Sequence, residues 1–155
     1  MIGGDGKDRL LGGRGADHIW GDQRGGAGKI SSAGRSGGGT RRPNTDLING
    51  GAGADTIHGG PSGGFTGGYR QQLDGDAGVD LIIGGARADL IFGGDGNDRV
   101  YGRDGRDDLF GNPGDDRLFG ELGNDDLDGG DGSDSCDQGA GTGLAVDCEN
   151  VFGIP

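Results

Sequence analysis

The sequence predicts an all-β repeat protein. Three observations carry this: a nine-residue period, glycine at 43 of 155 positions, and an apolar residue at a fixed place in each period. The composition excludes several classes. Only 29% of the residues are hydrophobic and 5% aromatic, too few to fill the core of an ordinary domain of this length. No apolar run approaches the ~18 residues of a membrane span, and no three-residue glycine period of the collagen type is visible. The net charge is −12, and 24 of the 26 acids are Asp, so nucleic acid is not an expected partner. Composition alone also fits a disordered Gly/Asp-rich chain, and the phase of the repeats decides against that.

From residue 84 the chain divides every nine residues into GGARADLIF, GGDGNDRVY, GRDGRDDLF, GNPGDDRLF, GELGNDDLD and GGDGSDSCD. The same frame fits 3–11 (GGDGKDRLL), 12–20 (GGRGADHIW), 50–58 (GGAGADTIH) and 75–83 (GDAGVDLII). The template is Gly-Gly-x-Gly-x-Asp-x-apolar-x, in about 13 repeats over residues 3–146. Eleven repeats carry Asp at position six: Asp8, Asp17, Asp46, Asp55, Asp80, Asp89, Asp98, Asp107, Asp116, Asp125 and Asp134. Position eight runs Leu10, Ile19, Ile48, Ile57, Leu73, Ile82, Ile91, Val100, Leu109, Leu118, Leu127, Cys136, Ala145. Thirty of the 43 glycines fall at positions one, two and four. A low-complexity chain has no reason to keep such phase.

Two repeats are stretched. Residues 21–49 hold an insertion at about 24–43 with five cations and no acid, which leaves −17 on the rest of the chain. Residues 59–74 hold a shorter one at about 61–70, and this repeat has Gln71 at position six. Both insertions fall in the glycine half of the template and read as surface excursions from a loop. The whole chain, 1–155, is therefore read as one domain.

Each half of the nonapeptide has its own chemistry. Glycine reaches positive φ without a Cβ penalty, so Gly-Gly-x-Gly makes a tight turn with its carbonyls facing inward. Asp adds a carboxylate at the end of that turn. The last three residues alternate, so position eight faces one way and positions seven and nine the other. The unit is a turn rich in hard oxygens followed by a very short strand. Ca²⁺ takes six to eight such oxygens, so one turn is not enough and two stacked turns are.

The phased template resembles the RTX (haemolysin-type) calcium-binding nonapeptide repeat. The resemblance covers nearly the whole chain. It implies a right-handed parallel β-roll, two nonapeptides per turn, with Ca²⁺ held between repeat n and repeat n+2. One edge then carries Asp17, Asp55, Asp80, Asp98, Asp116 and Asp134, an unbroken series with five sites between them. The other carries Asp8, Asp46, Gln71, Asp89, Asp107, Asp125 and Gly143. Its clean sites are Asp89/Asp107 and Asp107/Asp125; Asp8/Asp46 is compromised by the long insertion. Sites at Gln71 or Gly143 lack a carboxylate, and the loop at Arg87 lacks a position-four glycine. The expected load is about seven to eight calcium ions. Burial of one apolar side chain per nine residues is too little to order such a chain, so folding is expected to require the metal.

The end of the chain, residues 147–155, is expected to cap the open core. Its GAGT…AVDCENV sequence resembles the cap of secreted bacterial calcium-binding repeat proteins. A Cys136–Cys148 disulfide would close a short loop, worth ~3 kcal/mol in the chain-entropy model, and implies an oxidising compartment. The alternative is one buried and one surface thiol. A secreted, extracellular location follows from the resemblance. Met1 and Ile2 enter the first repeat directly, with no cationic start and apolar stretch of an export leader. The expectation is a removed signal or a fragment of a longer effector. Only about nine residues follow the last repeat, so an uncleaved C-terminal export signal is expected to be absent or cryptic.

His18 and His58 are read as outward, solvated side chains; a pair alone makes a poor zinc site. Position nine places Trp20, Phe92, Tyr101, Phe110 and Phe119 outward. They serve as cross-strand stacks, or as a docking face for a missing effector domain or second copy. The basic insertion reads as a linker-like loop. No nucleophile elbow and no HExxH motif is present, so the chain is not read as an enzyme. The function expected is calcium binding and calcium-induced folding of a structural or export-assisting module. The alternatives are the repeat part of a secreted RTX hydrolase or toxin, and a surface adhesion or ice-binding solenoid. The last would need an outward Thr or Asn ladder, and Lys7, Ala16, Thr45, Ala54, Val79, Ala88, Asn97 and Arg106 at position five are not one.

Overall fold

The computed structural model describes residues 1–2, 9–20, 47–59 and 71–153. Asp8, Asp46 and both insertions lie outside the described residues. Every described element is a strand, fourteen in all, and every pairing is parallel. The odd repeats supply one seven-stranded sheet: β1 (Arg9–Arg14), β3 (Leu47–Ala52), β5 (Gln72–Ala77), β7 (Leu90–Phe92), β9 (Asp108–Phe110), β11 (Asp126–Asp128) and β13 (Leu144–Val146). The even repeats supply the other: β2 (His18–Trp20), β4 (Thr56–His58), β6 (Leu81–Ile83), β8 (Arg99–Gly105), β10 (Arg117–Gly123), β12 (Ser135–Asp137) and β14 (Asn150–Phe152). The chain alternates between sheets at each repeat and returns to the first after two. This is the parallel β-roll that the RTX resemblance implies.

Register follows the nine-residue frame. Val100 pairs with Leu118 and Leu109 with Leu127, eighteen residues apart. The insertions do not disturb it: Leu10 pairs with Ile48, and Ile48 with Leu73. The core is a double column of position-eight side chains. The twelve from Leu10 to Cys136 are buried, and Ala145 and Cys148 pack against their end. Strand after strand shows the burial pattern half-buried, buried, half-buried over three residues. Position nine stacks from rung to rung on the outer faces. Phe92 and Phe110 lie 5.2 Å apart on one sheet, Tyr101 and Phe119 4.7 Å apart on the other. Trp20 stacks on His58 at 4.0 Å, so His58 meets an aromatic ring at its own position of the neighbouring rung.

Backbone geometry explains the glycine pattern. Position two takes a left-handed φ in every described repeat except that of Gly85, and Asp76, Arg103, Asn112 and Glu121 adopt it there at 71–82°. Position four is more demanding. Gly96, Gly114 and Gly132 have φ of 134–156°, and a Cβ on any of them would run into the carbonyl of the position-four glycine one rung back. Side chains therefore stand at position two in four described repeats and at position four in one, at Arg87.

The end of the chain is more regular than a generic cap. Asn150, Val151 and Phe152 pair with Ser135, Cys136 and Asp137, so the cap adds a fourteenth rung in the same register. Cys136 and Cys148 are joined by a disulfide, with Cα atoms 6.1 Å apart.

With one apolar side chain per rung, each carries an outsized share of the packing. Leu109 is fully buried between Ile91 and Leu127. Leu109→Ala is expected to cost ~2–5 kcal/mol in saturating calcium, read by urea denaturation; a loss below ~1 kcal/mol would contradict a core carried by position eight.

Candidate metal centre

The position-six carboxylates divide their two oxygens between two tasks. One oxygen, Oδ1, accepts the backbone N–H of the position-six residue one rung back. On the unbroken edge these bonds run from Asp17 N–H to Asp55, Asp55 to Asp80, Asp80 to Asp98, Asp98 to Asp116 and Asp116 to Asp134, all at 2.7–2.8 Å. The Asp134 N–H continues the series to Glu149 Oε2. On the other edge they run from Gln71 to Asp89, Asp89 to Asp107 and Asp107 to Asp125, at 2.7–3.1 Å. The carboxylate thus zips successive turns together through the backbone.

The second oxygen, Oδ2, is buried and has no hydrogen-bond partner at Asp17, Asp55, Asp80, Asp98, Asp107, Asp116, Asp125 and Asp134. A buried, unpaired carboxylate oxygen is expensive, and eight in register call for a common cause. Each points over the first glycine of its own repeat, where a main-chain carbonyl from the next rung also arrives. A Cβ on Gly93 would lie 2.6 Å from Asp98 Oδ2 and 2.7 Å from Gly111 O. On Gly50 it would meet Asp55 Oδ2 at 2.6 Å and Gly75 O at 2.8 Å. On Gly120 it would meet Asp125 Oδ2 at 2.6 Å and Gln138 O at 2.9 Å. The absence of a side chain lets two hard oxygens, one carboxylate and one carbonyl, converge over each of these glycines in a small cradle. The donor set fits Ca²⁺. Among the described residues no three His, Cys, Asp or Glu side chains cluster around one point, because carbonyls supply much of each cradle.

Burial and mutual repulsion act on these groups in the protein without metal. Burial pushes Asp107 up to about 8, with the Asp89 and Asp125 carboxylates adding to it against the Asp89 N–H. Asp80 is pushed up to about 7, and Asp98 and Asp116 to about 6, first by burial and then by the acids of adjacent rungs. Asp125 and Asp134 are raised for the same first reason. A stack of carboxylates is thus held where a proton or a cation must offset the charge.

Asp89 is different. Its Oδ2 accepts the Gly85 N–H at 2.8 Å. This is the loop in which Arg87 replaces the position-four glycine, and in which Gly85, unlike the other described position-two residues, lacks the left-handed φ. The turn closes on its own carboxylate. Gln71 places an amide oxygen, Oε1, buried and unpartnered, where the other repeats have Oδ2. Gly143 leaves Asp125 with no carboxylate on the following rung. Glu149 was not singled out by the nonapeptide frame. The signal was present, since Glu149-Asn150-Val151-Phe152-Gly153 reads as positions six to nine and a following first glycine.

Comparison with known proteins agrees with this geometry. None of the curated proteins compared with the chain matches it. The RTX calcium-binding nonapeptide repeat matches in four copies, at residues 2–23, 44–62, 74–109 and 101–136, which together span more than half of the sequence. A roll of two parallel sheets, with hard-oxygen cradles repeating along both edges, is what that repeat would build, and the chain belongs to the RTX calcium-binding nonapeptide repeat family.

Proposed function

We propose that the chain is a secreted module whose folding is triggered by calcium, with a structural or export-assisting role, by itself or attached to an effector. The observation that carries this is the row of eight buried, unpartnered Oδ2 atoms over the position-one glycines. Without a cation these carboxylates repel one another and lack partners. With one they become ligands and tie neighbouring turns together. The roll without metal has only a thin core to oppose that repulsion.

In this reading the metal ligands are Asp17, Asp55, Asp80, Asp89, Asp98, Asp107, Asp116, Asp125 and Asp134, with Asp8 and Asp46 outside the described residues. The total is about seven to eight ions. The five sites of the unbroken edge are the strongest. The Asp89 cradle is weakened by the Gly85 N–H that already occupies its carboxylate. Affinities of ~10⁻⁴–10⁻³ M, those of extracellular modules, would keep the chain unfolded in a cell and fold it outside. The Cys136–Cys148 disulfide suits the same oxidising compartment.

Calcium titration by calorimetry, with far-UV circular dichroism in parallel, tests the proposal. Excess calcium is expected to convert a largely unfolded chain to β structure with at least four ions bound. Identical spectra in calcium and in chelator would end the folding argument, and fewer than four ions would end the argument from the unbroken edge.

Filling one cradle gives a sharper test. Gly93→Ala puts a methyl between Asp98 Oδ2 and Gly111 O. The expected result is loss of one ion and a shift of the folding midpoint to higher calcium. An unchanged midpoint and ion count would place the metal elsewhere.

The raised carboxyl pKa values set the pH dependence. Carboxyls at about 6 to 8 in the folded, metal-free chain hold protons that the unfolded chain has released above about 3.8. Their stabilisation of the metal-free roll is complete below about 4 and is lost as pH rises through 6 to 8. Without calcium, β structure should therefore grow as pH falls from 8 towards 4. Calcium uptake near pH 7 should release protons, seen as a binding heat that changes with the ionisation enthalpy of the buffer. A buffer-independent heat would refute the shifts.

A further inference from the structure

We propose that the last turn of the chain holds a further calcium site, built by Asp134, Glu149 and the main-chain carbonyl of Asp147, which extends the unbroken edge by one ion. This rests on the calcium-binding reading of the other cradles and adds a ligand set that the nonapeptide template does not contain.

The pairing of Asn150, Val151 and Phe152 with Ser135, Cys136 and Asp137 places Glu149 opposite Asp134, at position six. Gly129 donates its N–H to Val146 O, as Gly111 does to Asp128 O, so Val146 stands at position nine and Asp147 at position one. The whole turn from position one to position six is therefore Asp147, Cys148 and Glu149, three residues in place of six. A shorter turn needs a longer side chain to reach the same point. Glu supplies the additional methylene, and its Oε2 accepts the Asp134 N–H as each Asp Oδ1 does one rung earlier.

The cradle is also complete on its other side. A Cβ on Gly129 would run into Asp147 O and come within 2.8 Å of Asp134 Oδ2, just as one on Gly111 would run into Gly129 O and Asp116 Oδ2. Asp147 has a φ of 48°, in the left-handed region that non-glycine residues rarely adopt. Asp134 is fully buried and its Oδ2 has no partner. This is the independent mark of a missing ligand, shared with the cradles below it. Cys148 sits between the two new donors and is tied through its disulfide to Cys136 in the core column. The disulfide thereby fixes a three-residue turn that has no glycine to shape it.

Native mass spectrometry of the full oxidised chain in calcium counts the ions directly. Glu149→Gln keeps an oxygen to accept the Asp134 N–H but removes the charge; Glu149→Ala removes the oxygen as well. Both are expected to carry one ion fewer than the wild type, with the disulfide intact by mass. Asp147→Asn, which keeps the main-chain carbonyl, is expected to retain the full count. A full count in both Glu149 variants would overturn the terminal site and leave the other cradles standing. A wild-type chain that takes up no calcium would overturn the calcium-binding reading, and this site with it.

Discussion

The fold turns on the two oxygens of the position-six carboxylate. One oxygen holds the N–H of the neighbouring turn; the other is left bare over a glycine. The first task locks the register of adjacent rungs, and the second accumulates charge along the edge. Rungs of a sheet lie ~4.8 Å apart. At that spacing two ionised carboxylates repel by ~3 kcal/mol at an effective dielectric constant near 20. The same bonds that align the turns thus bring their charges together. A divalent cation resolves the conflict because it needs several hard oxygens at once. Asp suits the post better than Glu in a full-length turn, since its short side chain leaves Oδ2 over the glycine of its own repeat.

The apolar core cannot take over this task. It is one side chain wide per strand, closed at one end by Ala145 and the disulfide. Longer strands would bury more, but the turns need six of every nine residues to build the oxygen cradles. The sequence divides its period between turn and strand, and the ion supplies the cohesion that a wider core would have provided. The outer stacks, Phe92 on Phe110 and Tyr101 on Phe119, add contact where the sheet faces are thin.

Much of this was legible because the period locks everything else. Once Asp falls at six and an apolar residue at eight, the core follows; with the two nonapeptides per turn that the resemblance implies, register and edge assignment follow too, and Ile91, Leu109 and Leu127 take their places in one column. What escaped the frame depends on departures from it. Glu149 was hidden because three residues are missing from its turn. The saturated carboxylate of Asp89 goes with the left-handed φ that Gly85 does not adopt, a backbone fact that a residue count does not contain. The stack of Trp20 on His58 pairs position nine with position nine across neighbouring rungs, as in the Phe and Tyr stacks.

The two ends of the roll differ in a way that bears on how it assembles. From Gln71 onward to the twelfth repeat, each position-six hydrogen bond spans eighteen residues. Towards the N-terminus the same bonds span 25 and 38. Loop-closure entropy grows only as the logarithm of length, so closing 38 residues instead of eighteen costs about 0.7 kcal/mol more. That is small beside the interactions of one rung, which explains why the register survives both insertions. It is still a bias, and it runs one way. In a solenoid each rung contacts only its neighbours, and folding spreads from wherever the first rungs form. The C-terminal half has the shortest closures, the disulfide and the end of the unbroken edge. Nucleation there and growth towards the insertions is the order that these terms favour.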